Sequence, residues 1–228
     1  MKVNVPFTRA GVAHHVWVEN EQGAVLFDVG DGALRDILAH DLAPDKLKGI
    51  FFTHGHFDHM GGLHSLLGYL RMIGRKEELP IWSPQECTEV NAAIIGFISC
   101  YPDTLPFRIH ARECPPRTVI EFIGMAVEAF PVVHSGDIVG AGPLTRVPAM
   151  GYRISCRGET VAISGDSADC PALRELAKDA DIALIEATFP TNTDVGRDVL
   201  SQTHLTEGQA IEIGRTAKNY ILVHIGTR

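Results

Sequence analysis

Residues 53–62 read Thr-His-Gly-His-Phe-Asp-His-Met-Gly-Gly, which places three histidines and an aspartate within six positions: His54, His56, Asp58 and His59. Imidazole and carboxylate are the usual ligands of Zn²⁺, Mn²⁺ and iron. Two histidines two residues apart, His54 and His56, can grip one ion. Asp58 and His59 then point elsewhere and can begin a second site. The run before them, Gly49-Ile50-Phe51-Phe52-Thr53, is apolar and β-prone. It predicts a buried strand with the ligands in the loop that follows.

The same arrangement recurs downstream. Ala129-Phe130-Pro131-Val132-Val133 leads to His134, Val161-Ala162-Ile163-Ser164-Gly165 to Asp166, Ile182-Ala183-Leu184-Ile185 to Glu186, and Tyr220-Ile221-Leu222-Val223 to His224. With the first motif this makes five apolar strands, each ending at a potential ligand or acid. Sheet enzymes collect function in the loops at one end of a rigid scaffold, so the five ends are expected to converge. His14, His15, His40, His64 and His110 have no such context and are read as structural or exposed.

The elements that must position these groups alternate in type. Ala13–Glu19 and Gly23–Gly30 predict a β-meander, and Leu34–His40 a short helix with Pro44 in the loop after it. Apolar spacing at 63, 66, 67, 70 and 73 predicts a helix. A strand at Leu79–Trp82 and a helix over Thr88–Ile98 follow. Residues 101–117 are interrupted by proline and read as a loop near the site. Strands are expected at Val119–Phe122 and Met125–Val133, and a hairpin over 150–161. Helices are expected over Pro171–Lys178, with Asp169 as N-cap, and over Thr206–Thr216. The order is β-meander, helices, β-meander, then βαβαβ. It implies an α/β (α+β) fold of two packed sheets with helices outside, in a single domain over residues 1–228.

Composition narrows the partners. The chain has 228 residues, 45% hydrophobic and 21% charged, and a net charge of −8 from 20 basic against 28 acidic side chains. An acidic surface does not draw in polyanions at long range, although bound cations would reverse the sign locally. The five cysteines, at 87, 100, 114, 156 and 170, form no C-x-x-C pair and suit reduced thiols that pack in a core. No apolar run reaches the length of a membrane span, and residues 1–6 lack the apolar block of a signal peptide. The expected setting is the cytoplasm, without a membrane partner. A homodimer is compatible with the sequence but not demanded by it.

At this point the chain resembles the metallo-β-lactamase superfamily over nearly its whole length. Leu26-Phe27-Asp28-Val29-Gly30 is similar to the family's first motif, with Asp28 a structural aspartate beneath the site, and residues 53–62 to its main metal motif. His134, Asp166 and His224 fall in the order of the remaining ligand motifs. The fold implied is a four-layer αββα sandwich. Within the superfamily the chain is most similar to the ribonuclease Z-like group. That likeness rests on Gly61-Gly62-Leu63, Leu79-Pro80-Ile81-Trp82-Ser83-Pro84, Glu186-Ala187-Thr188-Phe189, Thr203-His204-Leu205-Thr206 and Val223-His224-Ile225-Gly226-Thr227-Arg228. Ribonuclease Z carries a protruding arm that grips tRNA between the motifs matching His134 and Asp166. Here 31 residues separate the two, so tRNA is disfavoured as substrate. Relatives also continue past the final motif into a helix that would brace the last ligand.

The resemblance implies two divalent ions, Zn²⁺ first and Mn²⁺ or iron as alternatives. His54, His56 and His134 would hold one, Asp58, His59 and His224 the other, and Asp166 would bridge them. The candidate catalytic residues are Asp58, His204 and Glu186. His204 opens a helix, where it would bind an oxyanion or protonate a leaving oxygen, and Glu186 would orient its ring. The expected function is a dinuclear metal-dependent phosphodiesterase acting on a small phosphodiester or short nucleic acid by metal-hydroxide attack. The same core would also serve a thioester, lactone or sulfate-ester hydrolase, or a metal-bound binding protein without turnover. Asp58, Asp166 and His204 fit the ribonuclease Z-like pattern better than a β-lactamase, and the chain has no room for the flavin domain of di-iron oxidoreductases in the superfamily.

Overall fold

The long apolar runs of this sequence become central strands whose two faces are both buried, which is why several of them lack the alternation of a half-exposed sheet. The computed structural model describes residues 1–136 and 143–226. Thr227 and Arg228 of the final motif lie outside these, as does part of the Gly-Pro loop before the 150–161 hairpin. The chain divides into two compact units, Met1–Cys114 and Pro115–Arg228, and each is built on a six-stranded mixed sheet.

In the first unit, β1 (Lys2–Arg9), β2 (Ala13–Asn20) and β3 (Gly23–Phe27) form the meander. β3 then pairs in parallel with β4 (Leu47–Phe51), β4 with β5 (Leu79–Pro84), and β5 with β6 (Ile109–Cys114). The connections are α1 (Ala33–Ala39) between β3 and β4, α2 (Phe57–Met60) and α3 (Leu63–Met72) before β5, and α4 (Thr88–Cys100) before β6. Leu63, Leu66, Leu67 and Leu70 of α3 pack with Trp17, Leu26, Ile50 and Phe52 in one core. The opposite face is apolar as well: Phe51 stacks between Phe27 and Trp82, with ring centroids 5.4 and 4.3 Å away.

Three expectations are corrected here. β1 is an additional strand, disguised by Pro6. It lies at the sheet edge with its register shifted between Asn4 and Phe7, and a proline is tolerated there because it owes no ladder hydrogen bond. Residues 101–117 are not one loop, since β6 occupies 109–114. As an edge strand with exposed side chains at Ala111, Arg112 and Glu113, it needs little of the apolar pattern that marks an inner strand. Asp58 and His59 sit on the single helical turn α2 rather than in open loop.

In the second unit the strands run in the order β14, β13, β12, β11, β8, β7. β7 (Val119–Phe122), β8 (Met125–Pro131), β11 (Met150–Cys156) and β12 (Glu159–Ile163) are antiparallel, and β12, β13 (Ile182–Glu186) and β14 (Tyr220–Val223) are parallel. A two-residue ladder joins β9 (Ser135–Gly136) to β10 (Thr145–Arg146). α5 (Pro171–Ala177), α6 (Arg197–Leu200) and α7 (Glu207–Gly214) complete the unit. Leu173 and Leu176 of α5 and Ala210 and Ile213 of α7 share a core with Phe130, Ala162 and Ile185. Thr206 and Gln209 form a reciprocal capping box at the start of α7, which satisfies two donors that a helix start leaves unpaired. The expected N-cap role of Asp169 does not hold. Cys170 is the N-cap of α5, and the Asp169 carboxylate instead accepts two bonds from Arg174, at 2.7 and 2.6 Å. A bidentate guanidinium is a stronger partner than backbone N–H groups. No helix among the described residues is long and apolar enough to cross a membrane.

His15 on β2 is fully buried with no hydrogen-bond partner for either ring nitrogen, and the Asp36 carboxylate is 3.6 Å away. Burial pushes the imidazole down from 6.5 to about 4, outweighing Asp36, while Arg35 and His40 push the same way as burial. A depressed histidine stays neutral in the fold while the unfolded chain takes up a proton below 6.5, so stability is complete above that pH and is lost as pH falls towards 4. Urea unfolding at pH 7.5 and pH 5 is expected to show about 2 kcal/mol of loss that disappears in His15→Phe. An identical pH dependence in the variant would refute the assignment.

Candidate metal centre

The first unit presents its ligand-type residues from the end of β4. Asp28, just past β3, is completely buried and holds a left-handed backbone with φ 60°. Its carboxylate accepts from the Thr53 backbone N–H at 2.7 Å, the Thr53 hydroxyl at 2.8 Å and His59 Nδ1 at 2.7 Å. Burial pushes this carboxyl upward, and His59 and the Thr53 donors oppose it. These bonds settle proton positions. The Thr53 proton goes to Asp28, so the 3.0 Å contact between Thr53 Oγ and His54 Nδ1 has the ring as donor. His54 and His59 therefore both carry the proton on Nδ1 and present the Nε2 lone pair, the arrangement that a ligating histidine uses.

The His54 ring lies 4.6 Å from that of His56 and 4.1 Å from that of His59. Asp58 Oδ2 accepts from the Gly11 backbone N–H at 2.8 Å, which anchors the helical turn to the β1–β2 corner. Close approach explains one of the paired glycines, because a Cβ on Gly62 would stand 2.2 Å from the Gly30 carbonyl oxygen. His14 is buried beside this cluster, 5.2 Å from the His59 ring and 2.8 Å from the Thr8 hydroxyl. His40 contacts the Asp36 carbonyl, His64 packs on Phe97, and His110 lies 3.1 Å from Glu78. None of these three shares a contact with the cluster in those interactions.

The second unit gathers His134, Asp166, Glu186, His204 and His224 at the ends of β8, β12, β13 and β14 and the start of α7. His134 Nδ1 donates to the Thr203 carbonyl at 2.8 Å, so its Nε2 also presents a lone pair, 3.9 Å from Asp166 Oδ2. The Asp166 carboxylate is buried, 3.8 Å from His204 Nδ1 and 3.3 Å from His224 Nδ1. His204 Nδ1 lies 2.9 Å from Glu186 Oε1. Glu186 is buried, and its carboxylate also accepts from the backbone N–H of Ser167 and of Thr188, both at 3.0 Å.

Ligand atoms of His134, Asp166 and His204 all lie within 4.8 Å of one another, as do those of Glu186, His204 and His224. Buried imidazole and carboxylate donors gathered this closely are the chemistry of a divalent cation site, since burying them without a cation costs desolvation with little return. His204 therefore has a place among the ligand-type residues of this unit, where the sequence suggested none. The groups that set these proton positions, the Thr53 hydroxyl and the Thr203 carbonyl, were not singled out. The only sequence signal for them is that each stands next to a motif histidine.

The beta-lactamase superfamily domain family matches residues 24–225. Ribonuclease Z of Bacillus velezensis is 29% identical over 92% of this chain and 80% of its own length. The crystal structure of the short form of human tRNase Z superposes with a TM-score of 0.82 at 23% identity, covering 100% of this chain and 94% of that one. The metallo-beta-lactamase fold protein YhfI from Bacillus subtilis gives a TM-score of 0.76 at 18% identity over 99% and 87%.

Proposed function

This chain belongs to the beta-lactamase superfamily domain family and is a metal-dependent hydrolase, and we propose that its reaction is phosphodiester hydrolysis at a dinuclear centre. The ligand division and the single domain over residues 1–228 are both carried over from the family resemblance. By that resemblance His54, His56 and His134 would hold one ion, Asp58, His59 and His224 the other, and Asp166 would be shared. The observation that carries the metal reading is the fixed tautomer of His54, His59 and His134, each with Nδ1–H committed to an internal acceptor. Zn²⁺ held by these residues would lower the pKa of bound water to about 7 and offset charge on the phosphoryl oxygens.

The chain's own part begins with Asp58, whose Oδ2 is anchored by Gly11 so that its carboxylate is held in one orientation. His204 in its doubly protonated form would supply the proton for the departing oxygen from Nε2, its Nδ1–H being held by Glu186 at 2.9 Å. Names of similar proteins, ribonuclease Z and tRNase Z, support phosphodiesters as the substrate class. The net charge of −8 and the short stretch between His134 and Asp166 favour a small phosphodiester or short nucleic acid over tRNA.

The test is turnover of bis(p-nitrophenyl) phosphate by protein loaded with Zn²⁺ or Mn²⁺, beside a chelated control. No metal-dependent turnover would overturn the phosphodiesterase reading. His204→Ala separates the proton-donor role. On a dinucleotide, whose leaving alkoxide needs a proton, the variant is expected to lose about 10²–10⁴ in kcat. On bis(p-nitrophenyl) phosphate, whose leaving group departs as a stable anion, the loss should be far smaller. Equal losses on both would rule out proton delivery by His204.

A further inference from the structure

We propose that Thr188 is a positioning residue that sets the tautomers of His204 and His224 together through one hydroxyl. This rests on the reading of the site as a metal-dependent hydrolase and assigns a role to a residue that reading does not use. Thr188 Oγ lies 3.2 Å from His204 Nδ1, 3.0 Å from His224 Nδ1 and 3.1 Å from the His224 carbonyl oxygen.

A threonine hydroxyl has one proton to give and two lone pairs to receive with. A carbonyl can only accept, so the proton goes to the His224 carbonyl. Both ring nitrogens must then donate to Thr188, and each histidine carries its proton on Nδ1 with the lone pair on Nε2. The neighbours agree with this. The Glu186 carboxylate is a second acceptor for His204 Nδ1–H at 2.9 Å. Asp166 Oδ1, 3.3 Å from His224 Nδ1, is a further acceptor rather than a donor. The Thr188 backbone is tied into the same network, its N–H donating to Glu186 Oε2 at 3.0 Å.

His224 is held at φ 52°, a left-handed backbone uncommon outside glycine. That conformation turns its own carbonyl back to take the Thr188 proton. Gly226 closes the turn: its N–H donates to the Thr188 carbonyl at 3.2 Å, and a Cβ there would stand 2.3 Å from that oxygen. The arrangement has a counterpart in the first unit. Thr53 gives its proton to Asp28 and receives from His54 Nδ1. Thr53 Oγ also stands 3.4 Å from His59 Nδ1, so each threonine hydroxyl faces two histidine rings.

The experiment is long-range ¹H–¹⁵N NMR on protein labelled with ¹⁵N-histidine, metal-free and Zn²⁺-loaded. The pH is held at about 8.5, well above the ordinary histidine value. In the wild-type protein His204 and His224 are both expected to show a protonated Nδ1 and an unprotonated Nε2 even without metal. Thr188→Val, close in shape but lacking the hydroxyl, should leave His224 as a mixture of tautomers, and Thr188→Ser should restore the single form. Zn²⁺ affinity of the valine variant should fall about 10–100-fold, again rescued by serine. A wild-type His224 with an unprotonated Nδ1, or a valine variant with the wild-type pattern, overturns the proposal. The wild-type spectrum decides alone if the valine variant does not fold. None of these readouts depends on turnover, so failure of the phosphodiesterase reading would be seen separately.

Discussion

Asp166→Ala is expected to lower metal-dependent kcat/KM on bis(p-nitrophenyl) phosphate by about a thousandfold or more. The carboxylate is buried, with histidine ring nitrogens 3.3, 3.8 and 3.9 Å from its two oxygens. A carboxylate shared among three imidazoles is the group whose removal changes the charge of the whole cluster at once. Without it, His134, His204 and His224 lose the carboxylate they share, and a divalent ion held there would lose both a ligand and charge compensation. Asp166→Asn keeps the shape and removes the charge, so it separates geometry from electrostatics. If charge dominates, asparagine is nearly as inactive as alanine. Metal content, measured by plasma mass spectrometry on the same preparations, should fall in parallel. Activity within tenfold of wild type in Asp166→Ala would remove this residue from the centre.

Asp28→Ala is expected to cost about 3–5 kcal/mol of stability. The desolvation of the carboxylate is met by three donors at 2.7–2.8 Å. Alanine strands all three in a buried site, and it also has to hold φ 60°, which asparagine and aspartate tolerate better than alanine. Asp28→Asn keeps one acceptor oxygen and the left-handed preference, so it should lose about half as much. Both variants release the His59 ring, and Zn²⁺ affinity should drop about 10–100-fold with it. Urea unfolding of the metal-free proteins reads the first effect, and titration with a zinc-sensitive dye the second. A loss below about 1 kcal/mol in Asp28→Ala would mean that the donors find new partners, and that Asp28 is dispensable to the site.

The elements legible in the sequence are those whose pattern is local. α3 follows from leucines spaced to share one face, and α7 lies within the helix expected over Thr206–Thr216. β3, β4 and β13 follow from short apolar runs of the kind carried by a strand buried on both faces. The elements not legible lie where the pattern weakens for tertiary reasons. β1 and β6 are edge strands, and each owes its identity to the neighbour it pairs with rather than to its own residues. The α2 turn is only four residues long, too short for periodicity to register.

For the site, the sequence by itself determined the cast: which histidines, aspartates and glutamate follow apolar strands, and that their types suit a divalent cation. Chemical identity and short spacing are written along the chain, so the H-x-H-x-D-H run could be read directly. Only the tertiary structure decided which nitrogen of each ring holds the proton. His59 is set by Asp28, 31 positions away, and His134 by the Thr203 carbonyl, 69 positions away. A hydrogen bond has a direction fixed by who stands opposite, and sheet pairing, not chain order, chooses who that is.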